Sequence, residues 1–485
     1  MRLVTKIFEL LILGLLILCS ACNSEGEIFQ NALCIQNIST IDPLLGLKKN
    51  QTVIIQDGKI IRISSASDLV LSPKNTIIDG SGQYLIPGLW DAHVHFAYLE
   101  ELAPSMFDLF LAYGITSVRD TGGEINFVKG WKDKSIANPT TSPRVKIAGP
   151  LLDGRPNVYD GSDPGHPPLS VGLKSVEAVN QKIDELVGME VDHLKAYEML
   201  SPEQFRAAAQ LSKSKNLKLT GHVPLSMDVI SASRAGLNSM EHLRNLELSC
   251  ASNADELLKI RQKMLAEGKN GNGAALRSRI HSAQRPIAFE NFDEVKADKI
   301  LDVLAQNNTW QIPTLTLGIG RVEKHFNEPD WIDSFEYLPP DISNYWKSSI
   351  NEFEKVPVNP FFKVQAKWMI DMVGRIHDKG IKIMAGTDTP IFFLTPGLSL
   401  HQELYNLVQA GLSPLESLKT ATYHPALYFD MENELGSIKE GYWADLLILS
   451  ENPLDDIRNT QKINWVIKQG AVLDRQELLQ GLKTH

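Results

Sequence analysis

Six side chains in this sequence have the chemistry of metal ligands, and each sits in a short apolar run. Asp91-Ala92-His93-Val94-His95 offers two imidazoles two residues apart. His193-Leu194-Lys195 offers a lysine, Gly221-His222 and Glu241-His242 offer two more imidazoles, and Gly386-Thr387-Asp388-Thr389 offers a carboxylate. Successive side chains of a strand alternate faces, so His93 and His95 point the same way. Imidazole nitrogens with oxygen donors suit zinc, with manganese, cobalt or iron as alternatives. Two divalent ions in such a set lower the pKa of a bridging water toward neutrality and polarise a carbonyl, which is hydrolytic chemistry.

Lys195 is the least expected member, because an ionised ammonium is costly in an apolar strand. Two readings stay open. Either it pairs with a buried carboxylate, or its neutral amine takes up carbon dioxide and becomes an anionic, bidentate carbamate able to bridge two cations. His193 and Tyr197 share its face by the two-residue period; His193 lies deeper along the strand and reads as a core histidine. Asp388 is expected to serve both as ligand and as the base that takes a proton from a bridging water. A histidine in isolation is more often packed or solvated than ligating. Of the 12 in the chain, His281, His325, His377 and His485 stand in polar helical or terminal contexts and are expected in solvent. Arg119, Tyr197 and His166 are polar residues in position to meet a substrate or to support the site. His401, Glu403 and His424 read as structural.

These residues need strands to hold them. Eight short apolar segments alternate with helical patterns, which predicts a parallel α/β sheet and suits a (β/α)8 TIM barrel with its chemistry at the C-terminal strand ends. They centre on His93, Ser117-Val118-Arg119, Val145-Lys146-Ile147, Leu194-Lys195, Leu219-Thr220, Ser239-Met240, Gln311-Ile312-Pro313 and Ile383-Met384. Residues 251–308 and 318–380 are long for single crossovers and are expected to carry extra helices. The aromatic-rich stretch 318–368 either covers the site or packs against the barrel's side. β-branched runs broken by Asp57-Gly58 and Asp79-Gly80-Ser81-Gly82 lie near the start, and a similar texture returns after Ala444. The two ends are expected to pair into one small composite β-sandwich, since neither has enough strands to bury a core alone.

The same motifs resemble the amidohydrolase superfamily, and most closely its imidazolonepropionase-related, prolidase-like members. The resemblance is carried by Ile86-Pro87-Gly88-Leu89-Trp90-Asp91-Ala92-His93-Val94-His95, His193-Leu194-Lys195-Ala196-Tyr197-Glu198, Gly221-His222-Val223-Pro224, Gly386-Thr387-Asp388-Thr389-Pro390 and Gly436-Ser437-Ile438-Lys439-Glu440-Gly441. It implies a binuclear centre. His93, His95 and Asp388 would hold the more buried ion, His222 and His242 the more exposed one, and a carboxylated Lys195 would bridge them. It implies hydrolysis of an amide-type carbon–nitrogen bond in a small molecule by a metal-bridging hydroxide, with dipeptides and N-acyl amino acids the first candidates. Esters, lactones and phosphotriesters are open to the same centre. A non-catalytic relative is disfavoured, because all six ligands are present. The implied division is a signal over 1–22, a barrel over 87–430, and a composite β-domain from 26–86 and 431–478.

Length and charge fit this reading. The chain has 485 residues, room for a large domain and a smaller one, and its net charge of -10 excludes a nucleic-acid binder. Arg2 and Lys6 precede an apolar run too short to span a bilayer comfortably, then small residues before Cys22. This predicts export and lipidation at Cys22, in the periplasm or outer membrane, with plain secretion the alternative. Contact with a membrane is then expected only through the lipid anchor, and homo-oligomerisation stays open. The body keeps only Cys34 and Cys250, too few for a disulfide framework.

Overall fold

The computed structural model describes residues 29–65 and 72–483. The signal segment, Cys22 and His485 lie outside the described residues. The first strands build a meander. β1 (Leu33–Asp42) pairs antiparallel with β2 (Gly46–Gln56), and β2 with β3 (Lys59–Ser65). β4 (Thr76–Asp79) and β5 (Tyr84–Pro87) run parallel to β1.

The next strands are short, parallel and mostly buried, as apolar runs between helices require. β6 (Leu89–Val94), β7 (Ile115–Asp120) and β8 (Arg144–Ile147) form one sheet. β9 (Leu151–Asp153), β10 (Ser170–Gly172), β11 (His193–Ala196), β12 (Lys218–Gly221), β13 (Ser239–Glu241) and β14 (Trp310–Ile312) form a second, in the order β10-β9-β11-β12-β13-β14. Backbone bonds link them. Asp192 N donates to Ile147 O at 2.9 Å, which ties the start of β11 to β8. The segment 383–389 lies between β14 and β6: Met384 N donates to Gln311 O at 3.0 Å, and Asp388 N to His93 O at 2.8 Å. Seven of the eight segments expected from the sequence are therefore strands, and the eighth, at Ile383-Met384, joins its neighbours through an isolated bridge and single backbone bonds.

Helices between the strands start where their caps dictate. Ser175 accepts from Ala178 N ahead of the helix Val176–Gly188, and a capping box of Ser201 and Gln204 opens Pro202–Ser214. The crossover from β13 to β14 carries three further main helices, Ala254–Gly268, Gly273–Glu290 and Glu294–Gln306. The one after β14 carries Leu315–Glu323, Pro329–Ser334, Pro340–Glu354 and Pro360–Asp378. In that stretch Trp331, Phe335 and Trp346 are buried in the main core, whereas Phe362 lines a cavity beside His242. Residues 318–368 thus pack into the main core on one side and line the cavity beside His242 with the other.

The chain ends by returning to its beginning. β15 (Leu446–Leu449) pairs antiparallel with β5 and continues into β16 (Ile463–Lys468) and β17 (Ala471–Leu473). Strands from both ends thus share one sheet of eight, with Ile35, Val53, Leu85, Leu446 and Ile448 packed together. Asp42 fastens the join by accepting from Ile438 N at 2.8 Å.

Two histidines depart from the sequence expectation. His281 and His325 were expected in solvent, yet both are tucked into packed surroundings. His281 bonds a buried carboxylate, described below. The His325 ring lies 4.4 Å from the Trp331 ring, with neither nitrogen hydrogen-bonded. His281 docks on Glu198 and His325 packs on Trp331, contacts that local polarity does not reveal. His377 is part-exposed and lies 3.3 Å from Glu416.

Two predictions follow from this packing. Gly221 has φ of +141°, and a Cβ there would run into the Ala196 carbonyl. Gly221→Ala should destabilise the fold by more than about 2 kcal/mol in urea melts; a change within 0.5 kcal/mol, on the order of a neutral surface substitution, would contradict the close approach. Burial lowers His325 to about 4 from its ordinary 6.5. The folded state then binds fewer protons than the unfolded one between those values, so this contribution is complete above pH 6.5 and is lost as pH falls toward 4. His325→Leu should flatten the loss of stability between pH 7 and 4.5 by about 2 kcal/mol. Parallel stability–pH curves for the two proteins would show that His325 does not titrate in this way.

Candidate metal centre

Strand ends bring all six sequence-predicted residues to one pocket, lined by His93, His95, Lys195, His222, His242 and Asp388. His93 closes β6 and His95 follows it. Their Nε2 atoms each lie 3.1 Å from Asp388 Oδ1. His242 Nε2 lies 3.7 Å from Asp388 Oδ2. His222 Nε2 is buried with no hydrogen-bond partner. Asp388 sits at φ +69° and His242 at φ +57°, unusual for residues with a side chain. These kinks turn both off the regular strand path and into the site.

The outer ring nitrogens are held by protein. His95 Nδ1 meets Gly122 O at 3.1 Å, His242 Nδ1 meets Thr314 Oγ1 at 2.6 Å, and His222 Nδ1 meets Glu198 Oε1 at 2.8 Å. Each contact favours a ring whose Nε2 faces inward as an acceptor. Burial lowers His93 and His242 well below the usual imidazole range and His222 to about 3, so the rings are neutral, as ligation requires. Orphaned buried nitrogens, a carboxylate oxygen without a hydrogen bond, and inward-facing acceptors fit a divalent cation. Two clusters have suitable spacing among the described residues: His93, His95 and Asp388, and His93, Glu241 and His242.

Lys195 lies beneath these groups with its amine against Glu241. Burial first, then Arg119, push its pKa well below the usual lysine range. The structure therefore supplies the buried carboxylate partner that the sequence left open. Glu241 Oε1 also accepts from Arg119 at 2.8 Å and Thr220 Oγ1 at 2.9 Å. Arg119 is thereby removed from the candidates for substrate contact. It is fully buried and donates to Ala92 O at 2.5 Å, below the pocket. His193 is buried lower still, 5.9 Å from the Phe429 ring.

Four site residues went unseen in the sequence. Glu241 was passed over beside His242. Glu198 receives His222 on one oxygen and His281 Nε2 on the other at 2.7 Å. Arg277, on Gly273–Glu290, donates to Tyr197 Oη at 3.1 Å and lies 3.4 Å from His166 Nε2. Arg244, just past β13, lines the same pocket. Tyr197 lines it too, while His166 stands outside, bonded to Asp163 at 2.9 Å. His401, between Thr460 and Tyr113 O, and Glu403, capping Leu315 and Thr316, are structural, and His424 Nδ1 meets Ile383 O.

The amidohydrolase family matches residues 84–473, and the chain belongs to it. Ochratoxinase from Aspergillus niger is 23% identical over 472 residues, covering 85% of this chain and 80% of its own. Among solved structures, a Xaa-Pro dipeptidase with bound methionine in the active site matches at TM-score 0.65 and 18% identity, over 91% of this chain and 100% of its own. Bottromycin amidohydrolase matches at TM-score 0.66 and 18% identity, over 94% of this chain and 90% of its own. The fold is thus the family's α/β fold, and the chain is a hydrolase acting on carbon–nitrogen bonds.

If Glu198 orients His222 as the distances indicate, Glu198→Gln should weaken zinc binding about ten- to a hundredfold. Competition with a chromophoric chelator on purified apo-protein measures this, and unaltered affinity would remove Glu198 from the account.

Proposed function

We propose that this chain is a metal-dependent amidohydrolase that cleaves the amide bond of a small carboxylate-bearing molecule, a dipeptide or N-acyl amino acid. The observation that carries the reading is the convergence of four inward imidazoles and Asp388 on a pocket whose wall holds Arg244 and Arg277. His93, His95 and Asp388 would hold one ion, and His222 and His242 a second. The neutral amine of Lys195, carboxylated by carbon dioxide with loss of one proton, would offer a carbamate to both. Divalent ions bound there supply Lewis acidity toward water and the scissile carbonyl. Asp388 takes the proton of the attacking water on its carboxylate and returns it to the leaving nitrogen, which an amide needs. Arg277, held by Tyr197, takes the role of carboxylate partner from which Arg119 is excluded by burial.

The eight segments from β6 to 383–389 are read as a (β/α)8 barrel spanning 87–430, with the shared sheet as its composite β-sandwich and a lipid at Cys22 as its tether to the envelope. The names of the ochratoxinase, the dipeptidase and the bottromycin amidohydrolase support amide-type substrates.

Asp388→Asn should retain part of its metal while turnover falls by about a hundredfold or more; near-normal turnover would assign the proton to another group. A panel of dipeptides, N-acyl amino acids, cyclic amides, lactones and phosphotriesters on metal-replete enzyme tests the substrate class. Turnover of lactones or phosphotriesters with none of amides would reject the proposal.

A further inference from the structure

On the other side of His242 lies a second chamber of about 290 Å³. The two share His242, Arg244 and Leu317 in their linings, so they lie side by side. The chamber's charged lining is one-sided. Arg244, Arg285 and Arg321 line it, and no carboxylate does. In a chain of net charge -10 this concentration is not a consequence of composition.

The three guanidiniums are not equivalent. Arg285 Nε donates to Glu247 at 2.6 Å and is neutralised. Arg244 Nε lies 3.7 Å from Glu198, too far for a hydrogen bond, and that nitrogen is buried without a partner. Arg321 makes no ion pair or side-chain hydrogen bond among the described residues. Its guanidinium lies 4.8 Å from the Phe392 ring centre and 5.3 Å from that of Phe362. Aromatic faces hold a guanidinium in place and leave its donor edge free. The walls come from the long crossovers: Arg285 from Gly273–Glu290, Arg321 from Leu315–Glu323 and Phe362 from Pro360–Asp378.

We propose that this chamber is a side-chain subsite for an acidic residue, its carboxylate held by Arg321 and Arg244 against the phenylalanine wall. The inference rests on the amide-hydrolase reading and narrows it: the substrate carries a second carboxylate besides the one met by Arg277. A carboxylate in the chamber is fixed by charge-assisted bonds to the guanidiniums that line it, which an apolar side chain cannot make.

Two measurements test this. On metal-replete enzyme, kcat/KM is compared within the isosteric pairs Ala-Glu and Ala-Gln, and Glu-Ala and Gln-Ala. One acidic member should exceed its amide by about tenfold or more. Arg321→Met should collapse that ratio toward one, and Arg321→Lys should keep most of it. Equal turnover within both pairs, or a ratio unchanged in Arg321→Met, overturns the subsite. The second measurement is binding of N-acetylglutamate and N-acetylglutamine by calorimetry to the wild type and Arg321→Met, which needs no turnover. Tighter glutamate binding that depends on Arg321, with no dipeptide hydrolysed, would keep the subsite and reject the amide reading. No glutamate preference in binding would reject the subsite whatever the enzyme hydrolyses.

Discussion

Three ionisable side chains buried on one another set the terms for the site. Arg119, Glu241 and Lys195 come from β7, β13 and β11 and have side-chain exposures of 0 to 1%. None is tolerable alone in an apolar interior, and removing one partner of such a group typically costs about 3–5 kcal/mol. Together they fix the mutual position of three strands. Arg119 also reaches the Ala92 carbonyl on β6, so a fourth strand joins the cluster. His93 lies directly above, its Nδ1 3.7 Å from Glu241 Oε2. The histidines and Asp388 therefore stand above the buried Arg119–Glu241 pair, with Lys195 held against Glu241.

Above that floor the strands deliver ligands and the crossovers deliver their support. Glu198, just beyond β11, grips the β12 histidine, and its other oxygen is occupied by His281 from the inserted helix Gly273–Glu290. One face of that helix sends Arg277, His281 and Arg285 toward the site at four-residue intervals, as helical geometry allows. One carboxylate thus links the His222 ring to the helix that carries Arg277. The same two long crossovers contribute walls to both chambers.

The six clustered side chains were legible because each sits in or at the end of an apolar run, where a polar residue has few structural reasons to be. The strands were legible for the same reason, since parallel strands covered on both faces lack polar alternation. What escaped depends on contacts distant in sequence. Arg277 and His281 look like ordinary helix-surface residues until their helix docks on the mouth. Glu241 was hidden by strand periodicity, which gives neighbouring residues opposite faces; the positive φ of His242 lets both reach the site. Arg119 was legible as polar and strand-borne, but its depth was not, because sequence does not tell a strand's mouth end from its floor.

The central claim is a binuclear centre bridged at Lys195. It is tested most directly by titrating metal-free protein with zinc in bicarbonate buffer, with inductively coupled plasma analysis of the product, for the wild type and Lys195→Ala. The account predicts two tightly held ions per chain in the wild type, and loss of most bound metal in Lys195→Ala. Full occupancy in Lys195→Ala, or no tight site in the wild type, would contradict it.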